Sequence, residues 1–189
     1  MKDLIPFSIV ALLGFGVVAI AANRPGASPS TSTIAPLPNT HHGWRVTAGS
    51  VHDGDTLRVT RGNEELKIRL CGIDAPELAQ PLGKESRDFL RSLLPDNREV
   101  MLIPIETDRY GRTVAEIFVD NGNGTERHVN SELTVKGLAY HYQQYSGKCP
   151  NKFAIASGEE MAIANQRGIW EMGKNYEKPW DYRRKTRNR

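Results

Sequence analysis

The sequence predicts an α+β fold that is mainly β: a small, curved antiparallel sheet with helices packed on it. Three observations carry this expectation. The elements read in the order three strands, a helix, two strands, then helices; the strand segments alternate apolar and polar residues while the helical ones carry an apolar stripe; and Gly, Asn, Asp and Pro punctuate the junctions. No internal repeat is visible.

The globular part begins at Trp44. Trp44 to Val51 alternates loosely, Asp53-Gly54-Asp55 is a turn signal, and Thr56 to Thr60 reads as the partner strand of a hairpin. A second turn at Arg61-Gly62-Asn63 leads into Glu65 to Ile73. There Leu66, Ile68 and Leu70 share one face and Lys67, Arg69 and Cys71 the other, which sets Arg69 off the main apolar face and within reach of a surface cleft. After Pro81, Gly83 to Leu94 reads as a helix with Phe89, Leu90, Leu93 and Leu94 as its stripe, ended by Pro95 and Asn97. Glu99 to Ile105 and Thr113 to Asp120 are two more strands, joined by Glu106 to Arg112. A Gly/Asn turn at Asn121 to Gly124 precedes a second helix, Val129 to Leu138, and Lys152 to Gln166 is a third, stopped by Gly168. A five-stranded barrel of the oligonucleotide-binding (OB) type is one solution for this series, and pattern alone does not single it out.

Length and composition agree with one domain plus appendages: 189 residues, of which 39% are hydrophobic. Net charge is +3, too weak to mark a nucleic-acid binder, but the last seven residues, 183–189, carry five positive charges. Without them the chain stands at −2, so attraction to polyanions must come from a local site and this basic tail. Residues 4–22 are uncharged and apolar, follow Lys2, and offer Ala19-Ile20-Ala21 as a small-x-small pattern. That describes either a cleaved signal peptide or a membrane anchor within residues 1–22, and both imply export. Residues 23–43, rich in Pro, Ser and Thr, read as a flexible linker whose His41 and His42 have no assigned role, and the domain proper runs over residues 44–182. Cys71 and Cys149 are the only cysteines, and a lone pair in an exported protein points to a disulfide rather than to a catalytic thiol or a zinc site.

Three segments carry chemistry: Val51-His52-Asp53-Gly54-Asp55-Thr56, then Ile68-Arg69-Leu70-Cys71-Gly72-Ile73-Asp74-Ala75-Pro76-Glu77, then Thr107-Asp108-Arg109-Tyr110-Gly111-Arg112. Carboxylates clustered on turns and strand exits repel unless a cation sits among them. Hard cations such as Ca²⁺ accept such oxygen-rich surroundings. Arg69 and Arg112 beside the cluster suit phosphate, which a guanidinium grips with paired hydrogen bonds. Cation, carboxylate and two arginines together form a phosphoryl-transfer site. Singly, each segment also reads as an ordinary turn or helix start; the specificity lies in their combination and order.

On these segments the chain resembles the staphylococcal nuclease (thermonuclease) family, from about Trp44 to Trp180. Val129-Asn130-x-Glu132-Leu133, Gly137-Leu138-Ala139, Arg167-Gly168-Ile169-Trp170 and Pro179-Trp180 extend the match. The resemblance implies a five-stranded OB barrel with three helices. It also implies an endonuclease of the micrococcal type, using one Ca²⁺ to hydrolyse DNA and RNA to products with 3′-phosphate ends. By the same resemblance Asp55 and Asp74 hold Ca²⁺ through carboxylates and Ala75 through its carbonyl, Glu77 orients or deprotonates the attacking water, and Arg69 and Arg112 bind the scissile phosphate. Arg109 and Tyr110 match positions that contact a terminal phosphate. Among Tyr140, Tyr142 and Tyr145, the last two are the candidates for stacking on a base, and Asp53 supports the metal site indirectly. The expected partner is nucleic acid, with single-stranded or frayed regions favoured, and a monomer with no obligate protein partner is expected. The short connection from Glu77 to Pro81 leaves exo- against endo-cleavage open. His52, His128 and His141 read as surface residues. A non-catalytic binding module is the rival reading, and it leaves Asp55, Asp74, Glu77, Arg69 and Arg112 together without a use.

Overall fold

A computed structural model describes residues 41–173 and 175–188. The signal or anchor segment 1–22 and most of the 23–43 linker lie outside these residues. Short strands dominate the first half: β1 (Trp44–Val46), β2 (Thr56–Arg61), β3 (Glu64–Leu70), the two-residue β4 (Ile73–Asp74), β5 (Glu99–Thr107), β6 (Thr113–Asp120) and β7 (Glu126–His128). The two-residue β8 (Tyr140–His141) pairs only with β4. Helices α1 (Gly83–Leu93), α2 (Val129–Val135), α3 (Lys152–Ala164) and α4 (Pro179–Arg187) complete the fold, with one-turn 3-10 helices at Gln143–Tyr145 and Gly168–Trp170.

The sheet order β3-β2-β1-β5-β6-β7 closes on itself, because β3 also pairs with β6 in parallel, Ile68 opposite Thr113 and Leu70 opposite Ala115. Strands β1, β2, β3, β5 and β6 thus form the five-stranded barrel, and β7 is an addition at its side. Closure removes the exposed edges that a small sheet would otherwise present. Alternating side chains of each strand fill the barrel: Val46, Leu57, Val59, Ile68, Leu70, Leu102 and Ile117 are essentially inaccessible, with Leu90 of α1 and Leu133 of α2 packed on the same core.

Two buried polar residues organise the layer outside the barrel. Asn130 of α2 accepts the Ile117 N–H at 3.2 Å and donates to the Cys71 carbonyl at 2.9 Å, which docks α2 where β3 leaves β6. Glu116 accepts both the backbone N–H of Asn151 at 2.8 Å and its side-chain amide at 2.6 Å, fixing the start of α3. The Cys71–Cys149 disulfide, Cα atoms 6.0 Å apart, ties the end of β3 to the same place.

The structure corrects the sequence reading in a few places. Four helices are present rather than three, and residues 183–187 of the basic run belong to α4 instead of standing apart as a tail. Asp53-Gly54-Asp55 is not a tight hairpin turn but the end of a longer loop from Thr47 that returns the chain to β2. His128 is not a surface residue: its ring lies 4.7 Å from that of Phe118, stacked, with both nitrogens buried. His141 is half-buried, its Nε2 2.8 Å from Ser146 Oγ, while His52 is exposed as expected.

Candidate active site

Three features bring the carboxylates together. In the β2–β3 ladder Thr56 lies opposite Arg69, so Asp55 arrives beside the Arg69 side chain. The Asp53 carboxylate accepts the N–H groups of Asp55 (3.1 Å) and Thr56 (2.7 Å), which fixes the bend before β2. Gly54 allows the closest approach: a Cβ there would sit 2.0 Å from Ser86 Oγ of α1 and 2.7 Å from the Ala75 Cβ. Only a bare backbone lets the loop pass between α1 and the strand exit.

Arg69 is the bridge. One Nη donates to Asp55 and the other to Asp74 Oδ1 at 2.5 Å, with both carboxylates almost inaccessible. The second oxygen of Asp55 accepts the Ala75 N–H at 2.9 Å. Burial pushes the Asp55 carboxyl up to about 7, against the pull of Arg69, with Asp53 and Asp74 adding to the rise. Among the described residues no three His, Cys, Asp or Glu side chains converge on one point. A cation here would rely on two carboxylates, a main-chain carbonyl and water, an all-oxygen set that suits a hard divalent ion such as Ca²⁺.

Glu77 stands at the rim, its side chain 35% exposed. The loop that carries it is tight: Glu77 N–H donates to Gln80 Oε1 (2.9 Å), Gln80 N–H donates back to the Glu77 carbonyl (2.8 Å), and a Cβ at Gly83 would lie 2.0 Å from that carbonyl. Arg112, Arg109 and Tyr110 form a neighbouring group rather than part of the buried cluster. Asp108 accepts from Arg112 Nε at 2.8 Å and from the N–H groups of Tyr110 and Arg112, and both arginines lie over the Tyr110 ring. Burial alone would raise Asp108, but these hydrogen bonds from Arg112 and Tyr110 win and hold it below the usual carboxylate range. The group belongs to the turn before β6, whose Thr113 is registered with Ile68 next to Arg69.

The tyrosines separate. Tyr140 is buried; Tyr142 stacks flat on Trp180 of α4, centroids 4.9 Å apart and planes within 2°; Tyr145 is 61% exposed beside Tyr142. One participant has no counterpart in the sequence reading. Arg183 of α4 donates from Nη1 to Asp74 Oδ1 (3.1 Å) and Glu77 Oε1 (2.8 Å), and from Nη2 to Asp74 Oδ2 (2.7 Å). The only signal for it was its position after Pro179-Trp180, masked by the surrounding basic run.

Residues 67–172 match the family model described as staphylococcal nuclease homologue. A protein named micrococcal nuclease from Shigella flexneri is 32% identical over 140 residues, covering 72% of this chain and 78% of its own length. A probable staphylococcal-like nuclease of Oryza sativa subsp. japonica is 39% identical over 122 residues, 65% of this chain but only 30% of the rice protein. An uncharacterized endonuclease of Haemophilus influenzae is 36% identical over 121 residues, covering 64% of this chain and 62% of its own.

Proposed function

This chain belongs to the staphylococcal nuclease homologue family, and on that premise we propose that it is an exported, Ca²⁺-dependent endonuclease that hydrolyses DNA and RNA to products with 3′-phosphate ends. One observation carries the reading: Asp55, Arg69 and Asp74 share a buried cluster with Glu77 at its open rim. A module that merely bound nucleic acid would bear the desolvation of two carboxylates for nothing, since phosphate repels them.

In this reading Asp55, Asp74 and the Ala75 carbonyl would hold Ca²⁺, which when bound neutralises the phosphodiester anion and polarises a non-bridging oxygen. Glu77 accepts a hydrogen bond from the attacking water and directs it at phosphorus, in line with the departing 5′ oxygen. As charge grows on the non-bridging oxygens, Arg69 and Arg112 donate to them. Arg109 and Tyr110 lie on the Arg112 turn, where a neighbouring phosphate would pass. Tyr145 offers an exposed ring face to a base. Tyr142 has one face on Trp180 and contributes to the wall of the site instead. Export is supported by the apolar run 4–22 and by the disulfide, a bond that persists in oxidising compartments.

The test is degradation of denatured DNA by the purified protein, with Ca²⁺ and with excess chelator, followed by end-group analysis. Activity is expected only with Ca²⁺, and turnover undiminished in chelator refutes the mechanism. Arg112→Ala, and Arg69→Lys, which keeps a cation between the carboxylates, are expected to lose activity by up to ~10³–10⁵, the scale on which an arginine acts on phosphoryl charge.

A further inference from the structure

Helix α4 carries four basic residues from Arg183 to Arg187, and they do not behave alike. Arg184 pairs with Asp181 and Lys185 with Glu177, both on the exposed side. Arg183 turns the other way and joins the carboxylates. We propose that Arg183 is a positioning residue for the hydrolysis, holding the Glu77 carboxylate against Asp74, so that the C-terminal helix is part of the catalytic apparatus; this rests on the nuclease reading above.

Glu77 needs such a partner. Its side chain is partly exposed on a loop, and among the described residues Arg183 makes the only hydrogen bond to its carboxylate. A glutamate with three side-chain torsions free at the surface samples many orientations, and a general base or water-positioning group must hold one. Arg183 takes Oε1 and leaves Oε2 free to meet the water. The same guanidinium grips both oxygens of Asp74, so its fork is fixed in plane by two further hydrogen bonds and cannot simply follow Glu77 outward.

The helix is itself held in place at several points. Trp180 stacks on Tyr142 and meets Tyr140 edge-on, centroids 5.5 Å apart. Gln80, which receives the Glu77 N–H, donates through its Nε2 to the Glu177 carbonyl at 2.7 Å, and the Tyr176 hydroxyl donates to the Pro81 carbonyl at 2.5 Å. The loop bearing Glu77 and the segment leading into α4 are therefore joined twice by backbone acceptors before Arg183 makes the third link.

The experiment uses the full chain, with Arg183→Gln, Arg183→Lys and Arg183→Ala. Steady-state hydrolysis of a single-stranded oligodeoxynucleotide at saturating Ca²⁺ is measured beside Ca²⁺ affinity by calorimetry and thermal melting. Arg183→Gln is expected to lower kcat by ~10²-fold, the scale of a misplaced catalytic group, with KM within about threefold of wild type. Arg183→Lys should recover part of the loss, and added methylguanidinium should raise turnover of Arg183→Ala; Ca²⁺ affinity should not fall. A raised KM at unchanged kcat would make Arg183 a substrate contact and overturn the proposal. Unchanged or higher kcat with tighter Ca²⁺ binding would make it a plug over the cation site, and a lower melting temperature alone would make it a structural brace; both overturn it too. An inactive wild-type chain sinks the nuclease reading itself, whereas an active wild type with unaffected variants sinks this proposal alone.

Discussion

Replacing Cys71 and Cys149 together by alanine removes a covalent tie across 78 residues of chain, from the end of β3 to the approach of α3. With a closed loop of that size, the chain-entropy relation gives about 15 cal/mol/K, or about 4.5 kcal/mol at 25 °C, of denatured-state freedom restored by the change. Both sulfurs are buried, so the two alanines also leave a small void. Residual structure in the denatured chain works in the opposite direction, and a net loss of about 3–5 kcal/mol is expected. At about 2–4 °C per kcal/mol for a domain of this size, the melting temperature should drop by roughly 6–20 °C. Urea unfolding separates the entropic effect from lost packing. A freed chain expands when it unfolds, so the m-value should rise as the midpoint falls, whereas a packing defect lowers the midpoint at constant m. Activity at 25 °C should stay near wild type, because the Cys71 N–H still donates to the Ala115 carbonyl and Asn130 still holds the Cys71 carbonyl. A loss below about 1 kcal/mol, or an unchanged m-value, would refute the loop-closure reasoning.

Gly54→Ala forces a methyl group to within 2.0 Å of Ser86 Oγ and pushes the loop off α1. It should cost about 1–3 kcal/mol in urea unfolding and weaken Ca²⁺ binding by displacing Asp55 from Ala75, while wild-type calorimetry in the variant would contradict the close-approach account. Burial holds the His128 imidazole below its ordinary value, against the pull of Glu116 at 3.7 Å, and neither ring nitrogen has a hydrogen-bond partner. The neutral ring is favoured in the folded state, so its contribution is present above the unfolded pKa near ~6.5 and is lost as pH falls through the depressed folded value. The urea midpoint should therefore fall on acidification across that window, and fall less in His128→Phe; equal falls in both proteins would exclude His128 as a source.

What was legible in the sequence was what is local. Arg69, Asp74, Ala75 and Glu77 stand within nine residues of chain, and strand alternation with a proline-stiffened exit is enough to bring them to one end of β3. Asp55 was reachable because the β2–β3 ladder is a short antiparallel pairing, the kind that turn residues announce. Barrel closure was not legible from pattern, since the parallel β3–β6 contact joins segments separated by β4, α1 and β5. Hydrophobic alternation says which face is buried, not which edge meets which. The same holds for His128: nothing in Glu126-Arg127-His128 marks the ring as buried until Phe118 on the paired strand is placed beside it.

Arg183 is the instructive failure, because composition pointed the wrong way. A run of five cations in seven residues reads as solvated, and for Arg184 and Lys185 that reading holds. What distinguishes Arg183 is its phase on a helix whose start is set by Pro179 and whose orientation is set by Trp180 lying flat on Tyr142. Three residues after Trp180 is nearly one turn, so Arg183 lies on the same face as the tryptophan and points where Tyr142 points. Tyr142 in turn follows β8, which pairs with β4, the strand that contains Asp74. The chain of placement therefore runs from Asp74 through β4, β8, Tyr142 and Trp180 back to Asp74 by way of Arg183, closing a circuit over 109 residues. Trp180→Ala tests that circuit without touching a charge. If the stack is what aims Arg183, the variant should reproduce the fall in kcat of Arg183→Gln, and the double variant should be no worse than either single one. Additive losses would mean that α4 is oriented by something else.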